Sequence, residues 1–147
     1  MDTKGDQKKG YPAHPQVAVG AFVFNEDRIL LVKRGHPPAE GQWAIPGGRV
    51  RLGEPLHQAA EREILEETGV TIRAGEPAFV FDTIVRDDAG EIQYHYVIID
   101  LMAEYVCGEP RAGDDAVEAR WVSRSEFGQL AINRRTCEAM KSAFRFP

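Results

Sequence analysis

Cysteine is scarce. The 147-residue chain has only Cys107 and Cys137, and neither metal-ligand nor redox spacing links them. The expectation is therefore a buried, reduced pair in a cytosolic protein. Long apolar runs are missing as well, and none reaches the roughly 18 residues that a membrane-spanning helix needs. The opening MDTKGDQKKGYPAHPQ has no signal-peptide core, which makes a cytoplasmic location the default. Excess positive charge is also absent. A net charge of −5 and an isoelectric point near 5.4 argue against a nucleic-acid polymer or an anionic membrane as the main partner. They leave room for a small phosphorylated ligand whose charge is offset by metal ions or local arginines. No internal repeat or low-complexity segment breaks the chain.

What is present is the composition of a soluble globular protein, 43% hydrophobic and 28% charged, at a length that suits one domain. Residues 1–15, polar with Gly and Pro, read as a flexible N-terminal tail, and residues 16–147 as the single domain. QVAVGAFVF and RILLVKR, separated by NED, predict an antiparallel hairpin. A Gly/Pro loop, the short apolar WAIP and the Gly-punctuated GGRVRLGE follow. TIRAGEPAFVFDTIV and IQYHYVIIDLMAEYV, joined by RDDAGE, predict a second hairpin, and AVEARWVS a further strand. Two helices are expected. One has Pro55 at its first position and ends at Gly69; the other starts near Asn133. The fold class is thus α/β in the broad α+β sense, a mixed β-sheet between helices.

Between Glu61 and Glu67 the first helix carries four glutamates and one arginine. Like charges at helical spacing repel, so the direction of these acids matters. With about 100° per residue and Leu56 at zero, Ala59, Ala60 and Ile64 form an apolar arc from about 300° to 80°. On the same wheel Glu67 falls near 20°, Glu63 near 340° and Glu66 near 280°. Glu63 and Glu67 therefore point with the apolar stripe rather than away from it, and a carboxylate facing a core must be neutralised or paired. Three carboxylates within about one turn make a hard-oxygen cluster suited to Mg²⁺ or Mn²⁺. Without His or Cys among them, zinc does not fit.

Gly48, five residues, Glu54, seven residues and then REILEETGV fill every fixed position of a 23-residue signature. On these residues the chain resembles the Nudix hydrolases. LLVKRG, GQW and PGG before the signature and EARWVS after it resemble the family's usual flanks. The resemblance implies an α/β/α sandwich that hydrolyses the pyrophosphate bond of a nucleoside diphosphate linked to another group, using Mg²⁺ or Mn²⁺. Carried over by position, it implies Glu63, Glu66 and Glu67 as metal ligands, joined by the Gly47 carbonyl. Arg62 would orient a glutamate, and Glu54 would brace the loop against the helix. The general base stays open between a motif glutamate and a later acid, Asp114, Asp115 or Glu118; Glu118 heads an expected strand and is the candidate best fixed in place.

Arg34, Arg49 and Arg51 are candidate phosphate contacts, because a guanidinium fork matches phosphate oxygens. Tyr96 could stack on a base, whereas Trp43 is expected in the core and His36 and His95 as loop and strand residues. The layout around YHYVIIDLMAEY and GDDAVEARW resembles a bacterial subgroup described as ADP-ribose pyrophosphatases, which implies ADP-ribose as substrate. TIVRDD departs from it, lacking the proline that many ADP-ribose-specific members carry there. A (deoxy)nucleoside triphosphate pyrophosphohydrolase is the rival within the enzyme class, and a non-catalytic nucleotide-binding module the rival outside it. The long strands leave edges that could pair two copies into a homodimer.

Overall fold

The structure, a computed structural model, describes residues 10–37 and 39–147. The apolar run from Gln16 becomes β1 (Gln16–Asn25), which turns through Glu26 and Asp27 into β2 (Arg28–Arg34). The short β3 (Trp43–Ala44) and β4 (Gly47–Arg49) precede α1 (Leu56–Thr68). β5 (Thr71–Arg86) and β6 (Ile92–Cys107) form the long second hairpin, and β7 (Ala116–Val122) follows. The short α2 (Arg124–Phe127) and α3 (Arg134–Phe144) close the chain. The seven strands make one mixed sheet in the order β3-β2-β1-β6-β5, with β4 on β1 and β7 on β2. Among the described strands, only β1 and β6 pair in parallel.

β1 changes partner along its length. It pairs with β2 at Phe24 and Asn25 but with β4 from Ala18 to Gly20. The sheet therefore forks in the middle, and the cavity described below opens beside the fork.

Side-chain alternation along β1 builds a core on each face. Val19, Ala21 and Val23 meet Ala59, Ala60 and Ile64 of α1, all essentially buried. Phe22 faces the other way, into a cluster with Ile29, Leu31, Trp43, Val122, Phe127 and Met140 of α3. Phe22 and Phe144 lie 5.1 Å apart, centroid to centroid. Helices thus cover both faces, as the pattern of strands and helices predicts.

Helix ends follow their sequence signals with two differences. Pro55 is the residue before α1, extended at ψ 152°, rather than its first turn; its carbonyl accepts the first helical bond, from Ala59. Gly69 ends the helix at φ 75°, and the Thr68 hydroxyl donates to the Ile64 carbonyl at 2.7 Å while accepting from Val70 N–H. α2 was not expected. Ser123 and Glu126 cap it reciprocally, and Asn133 caps α3 by accepting from the Arg135 and Thr136 backbones.

One expectation needs correction. Cys107 is exposed and Cys137 only half-buried, and both are free thiols, so there is no buried pair. Cys107 ends β6 at its solvent end, beyond the core that would have covered it. Within the expected tail, residues 1–9 lie outside the described residues, but Tyr11 donates a hydrogen bond to Asp87 at 3.0 Å. No helix among the described residues is long and apolar enough to cross a membrane.

Candidate active site

Arg62 organises the acidic helix. Its Nε and Nη2 grip both oxygens of Glu54, at 2.6 and 2.8 Å, while Nη1 reaches Glu63 at 2.7 Å and Glu66 at 3.2 Å. Nη2 also donates to the Arg49 carbonyl, tying the helix to the end of β4. Glu54 accepts in addition from the Arg51 backbone. These bonds hold the Glu54 carboxyl down at about 2, the Arg62 hydrogen bond being the largest cause. Arg62 is pushed up in turn, chiefly by Glu54. Arg62 thus links Glu54 to Glu63 and Glu66.

Glu63 folds back against Gly48. A Cβ on Gly48 would collide with the Glu63 carboxylate, so this position admits no side chain while Glu63 stays where it is. Glu66 is more exposed and also lies 3.9 Å from Arg51 Nη2. Glu67 differs from both. It lies in the wall of a cavity of about 700 Å³ shared with Arg34, Gly47, Asp115 and the first turn of α3. Burial, then the charge of Glu63, pushes its carboxyl from 4.5 up to about 8, against a hydrogen bond from the Gly47 backbone and the charge of Arg34.

Among the described residues, no three acids, histidines or cysteines converge closely enough to hold a metal ion. Arg62 engages Glu63 and Glu66 in salt bridges at 2.7 and 3.2 Å. The donor chemistry nevertheless fits a hard divalent cation: three carboxylates at positions 63, 66 and 67, one of them mostly buried and short of compensating positive charge. The Gly47 backbone N–H is directed at Glu67.

The other candidates separate into those at the cavity and those away from it. Arg34, Arg49 and Tyr96 line it. Arg51 does not; its guanidinium turns toward Glu66. Glu118 does not either. It is exposed on β7 opposite Lys33, because the strand phase that buries Ala119 turns its neighbour outward. Asp115, just before that strand, is the later acid at the cavity; it adds to the rise of Glu67 and lies 3.5 Å from His36 Nε2. Trp43 is a core residue, 6% exposed.

Sequence reasoning passed over Asp100 and Arg135, which also line the cavity. Asp100 had a signal: one acid inside the apolar strand run VIIDLM.

The NUDIX domain family matches residues 14–140, which takes in the signature, the cavity strands and most of α3. The chain belongs to the Nudix family. This Nudix hydrolase is 37% identical over 120 residues to the ADP-ribose pyrophosphatase of Methanocaldococcus jannaschii, covering 82% of this chain and 69% of that one. It is 30% identical over 118 residues to the oxidized purine nucleoside triphosphate hydrolase of Danio rerio, covering 74% and 68%. Among solved structures, the MutT NUDIX hydrolase of Burkholderia pseudomallei is 32% identical, with a TM-score of 0.73 over 88% of this chain and 98% of that one. The Nudix chain thus spans about two thirds of the two curated relatives and nearly all of the solved structure.

Proposed function

We propose that this Nudix hydrolase cleaves the pyrophosphate bond of ADP-ribose, giving AMP and ribose 5-phosphate. The observation that carries the reading is Glu67: a mostly buried carboxyl, short of positive charge, in the wall of a cavity large enough for a nucleotide and edged by Arg34. Similarity to the archaeal ADP-ribose pyrophosphatase across most of the chain supports the choice of substrate.

Glu63, Glu66 and Glu67, with the Gly47 carbonyl, would hold Mg²⁺ or Mn²⁺. A divalent ion bound there supplies charge neutralisation of the pyrophosphate oxygens and a more acidic water. The chain's own residues do the rest. Arg34 faces the phosphates with a guanidinium fork. Arg62 would position Glu63 and Glu66 through its salt bridges to both. Asp115, beside His36 at the same cavity and one of the later acids left open as the base, would accept the proton of an attacking water. The ligand is a small nucleotide rather than a nucleic-acid polymer. β5 is the open edge of the sheet with Val80 and Ile84 exposed, which is where two copies would pair.

One observation favours a second reading. The fish triphosphate hydrolase matches nearly as much of the chain, so a (deoxy)nucleoside triphosphate cleaved to a monophosphate and pyrophosphate is the alternative. Product analysis on a nucleotide panel, with Mg²⁺ and with Mn²⁺ and beside Glu67→Gln, separates them. AMP and ribose 5-phosphate from ADP-ribose, lost in the variant, support the proposal. Pyrophosphate released from a triphosphate, with ADP-ribose untouched, reverses it.

A further inference from the structure

The floor of the cavity is one face of three strands. Ala18 and Gly20 come from β1, Tyr96, Ile98 and Asp100 from β6, and Phe81 from β5, in register across the sheet. Most of this floor is apolar or aromatic and suits a flat base. Asp100 is the exception. It is 6% exposed, and among the described residues nothing donates a hydrogen bond to its carboxylate. Burial pushes the group up to about 7, and only the charge of Arg135 opposes that. Arg135 is itself incompletely used: it donates to the Asp82 carbonyl and lies 4.0 Å over the Phe81 ring, but its buried Nη1 has no partner. Leaving such groups unsatisfied is costly, and a ligand that supplies the missing partners recovers the cost.

The neighbouring strand reserves room for this acid. A Cβ on Gly20 would stand 2.5 Å from Asp100 Oδ1 and 3.1 Å from Ile45 Cδ1. A glycine inside an otherwise apolar strand marks a close approach, and here the approaching group is the carboxylate. Its place along the cavity is fixed by register: Gly47 pairs with Gly20, and Gly20 with Asp100. Two strand spacings, roughly 10 Å, separate Asp100 from the backbone that touches Glu67. Beyond Asp100 on the same face lie Ile98 and Tyr96. A nucleotide with its phosphates near Glu67 and its base over Ile98 and Tyr96 therefore has its sugar at Asp100.

We propose that Asp100 accepts hydrogen bonds from the vicinal hydroxyls of the substrate's ribose, so that the site selects ribonucleotides over 2′-deoxyribonucleotides. This rests on the pyrophosphate-hydrolysis reading for the orientation of the nucleotide. Two carboxylate oxygens, acceptors only, match two adjacent O–H donors, whereas a phosphate placed there would be repelled. The same chemistry serves nucleotide sites in which an acidic residue takes a ribose hydroxyl.

The test is calorimetric binding of AMP and 2′-deoxy-AMP to the full chain, alongside kcat/KM for matched ribo and deoxy substrates. The wild type should bind AMP about 10- to 100-fold more tightly. Asp100→Asn, nearly isosteric, should reduce that ratio to about threefold or less. Gly20→Ala, which crowds the carboxylate without removing it, should do the same. Equal binding of the two nucleotides by the wild type overturns the proposal, as does a ratio unchanged in both variants. A preference that Asp100→Asn alters between AMP, GMP and IMP, but not between ribose and deoxyribose, overturns it by assigning Asp100 to the base edge. Sugar-selective binding without turnover of any nucleotide leaves the assignment standing and refutes hydrolysis; hydrolysis without sugar preference does the reverse.

Discussion

Replacing Glu67 with glutamine should stabilise the metal-free protein at alkaline pH while abolishing its chemistry. The Glu67 carboxyl is raised from 4.5 to about 8, burial being the main cause. Between those values the folded protein keeps a proton that the unfolded chain has released, so stability falls as pH rises from about 4.5 and levels off above about 8. At about 1.4 kcal/mol per pH unit the rise corresponds to about 5 kcal/mol. Relaxation and water entry trim it, and an advantage of about 2–4 kcal/mol for Glu67→Gln at pH 9 is expected, with near equality at pH 5. Urea unfolding of both proteins in chelator, from pH 5 to 9, reads the difference for Glu67 together with the acids coupled to it, because the uncoupled titrating groups cancel between them. Excess Mg²⁺ should raise the stability of the wild type at pH 9 and leave the variant largely unmoved. A difference that stays flat with pH, or a wild type that is the more stable at pH 9 in chelator, would refute the account of Glu67 as a strained, uncompensated acid.

Three other perturbations probe the site. Asp115→Asn should lower kcat by about 10²-fold or more whereas Glu118→Gln leaves it within about twofold, as steady-state kinetics will show. Arg62→Lys cannot reproduce the fork that holds Glu54, Glu63 and Glu66 together; a loss of about 2–4 kcal/mol in chemical denaturation is expected, together with weaker Mg²⁺ binding by titration calorimetry. Gly48→Ala forces the Glu63 carboxylate aside, so activity should fall at least about tenfold with a circular dichroism spectrum like that of the wild type.

Most of the sheet was legible in the sequence because its strands are long and their breaks are marked by NED and RDDAGE. Helix phase was equally informative. It placed Ala59, Ala60 and Ile64 in the core and aimed Glu67 inward, which is where they are. What phase cannot express is competition between partners. Arg62, assigned one glutamate, takes three. Asp115 and Glu118 were separated by a different limit. Three residues apart, they sit on either side of a strand start, so the same acidic segment leaves one residue at the cavity rim and carries the other away from it. α2 carried its capping signature in Ser123 and Glu126 but is too short for any periodicity to show. Asp100 stood out only as a charge among apolar neighbours, and its meaning depends on Gly20, eighty residues earlier, lying beside it.

The fork at β1 has an evolutionary consequence. The helix that supplies the acids rests on one core and the helix that walls the cavity rests on another, with separate sets of side chains. The two halves of the enzyme communicate where β1 leaves β2 for β4 and Glu67 enters the cavity. Residues such as Tyr96, Asp100 and Arg135 can therefore drift without disturbing the packing beneath the glutamates. A lineage built on this plan can exchange one nucleotide for another while its hydrolytic apparatus stays intact.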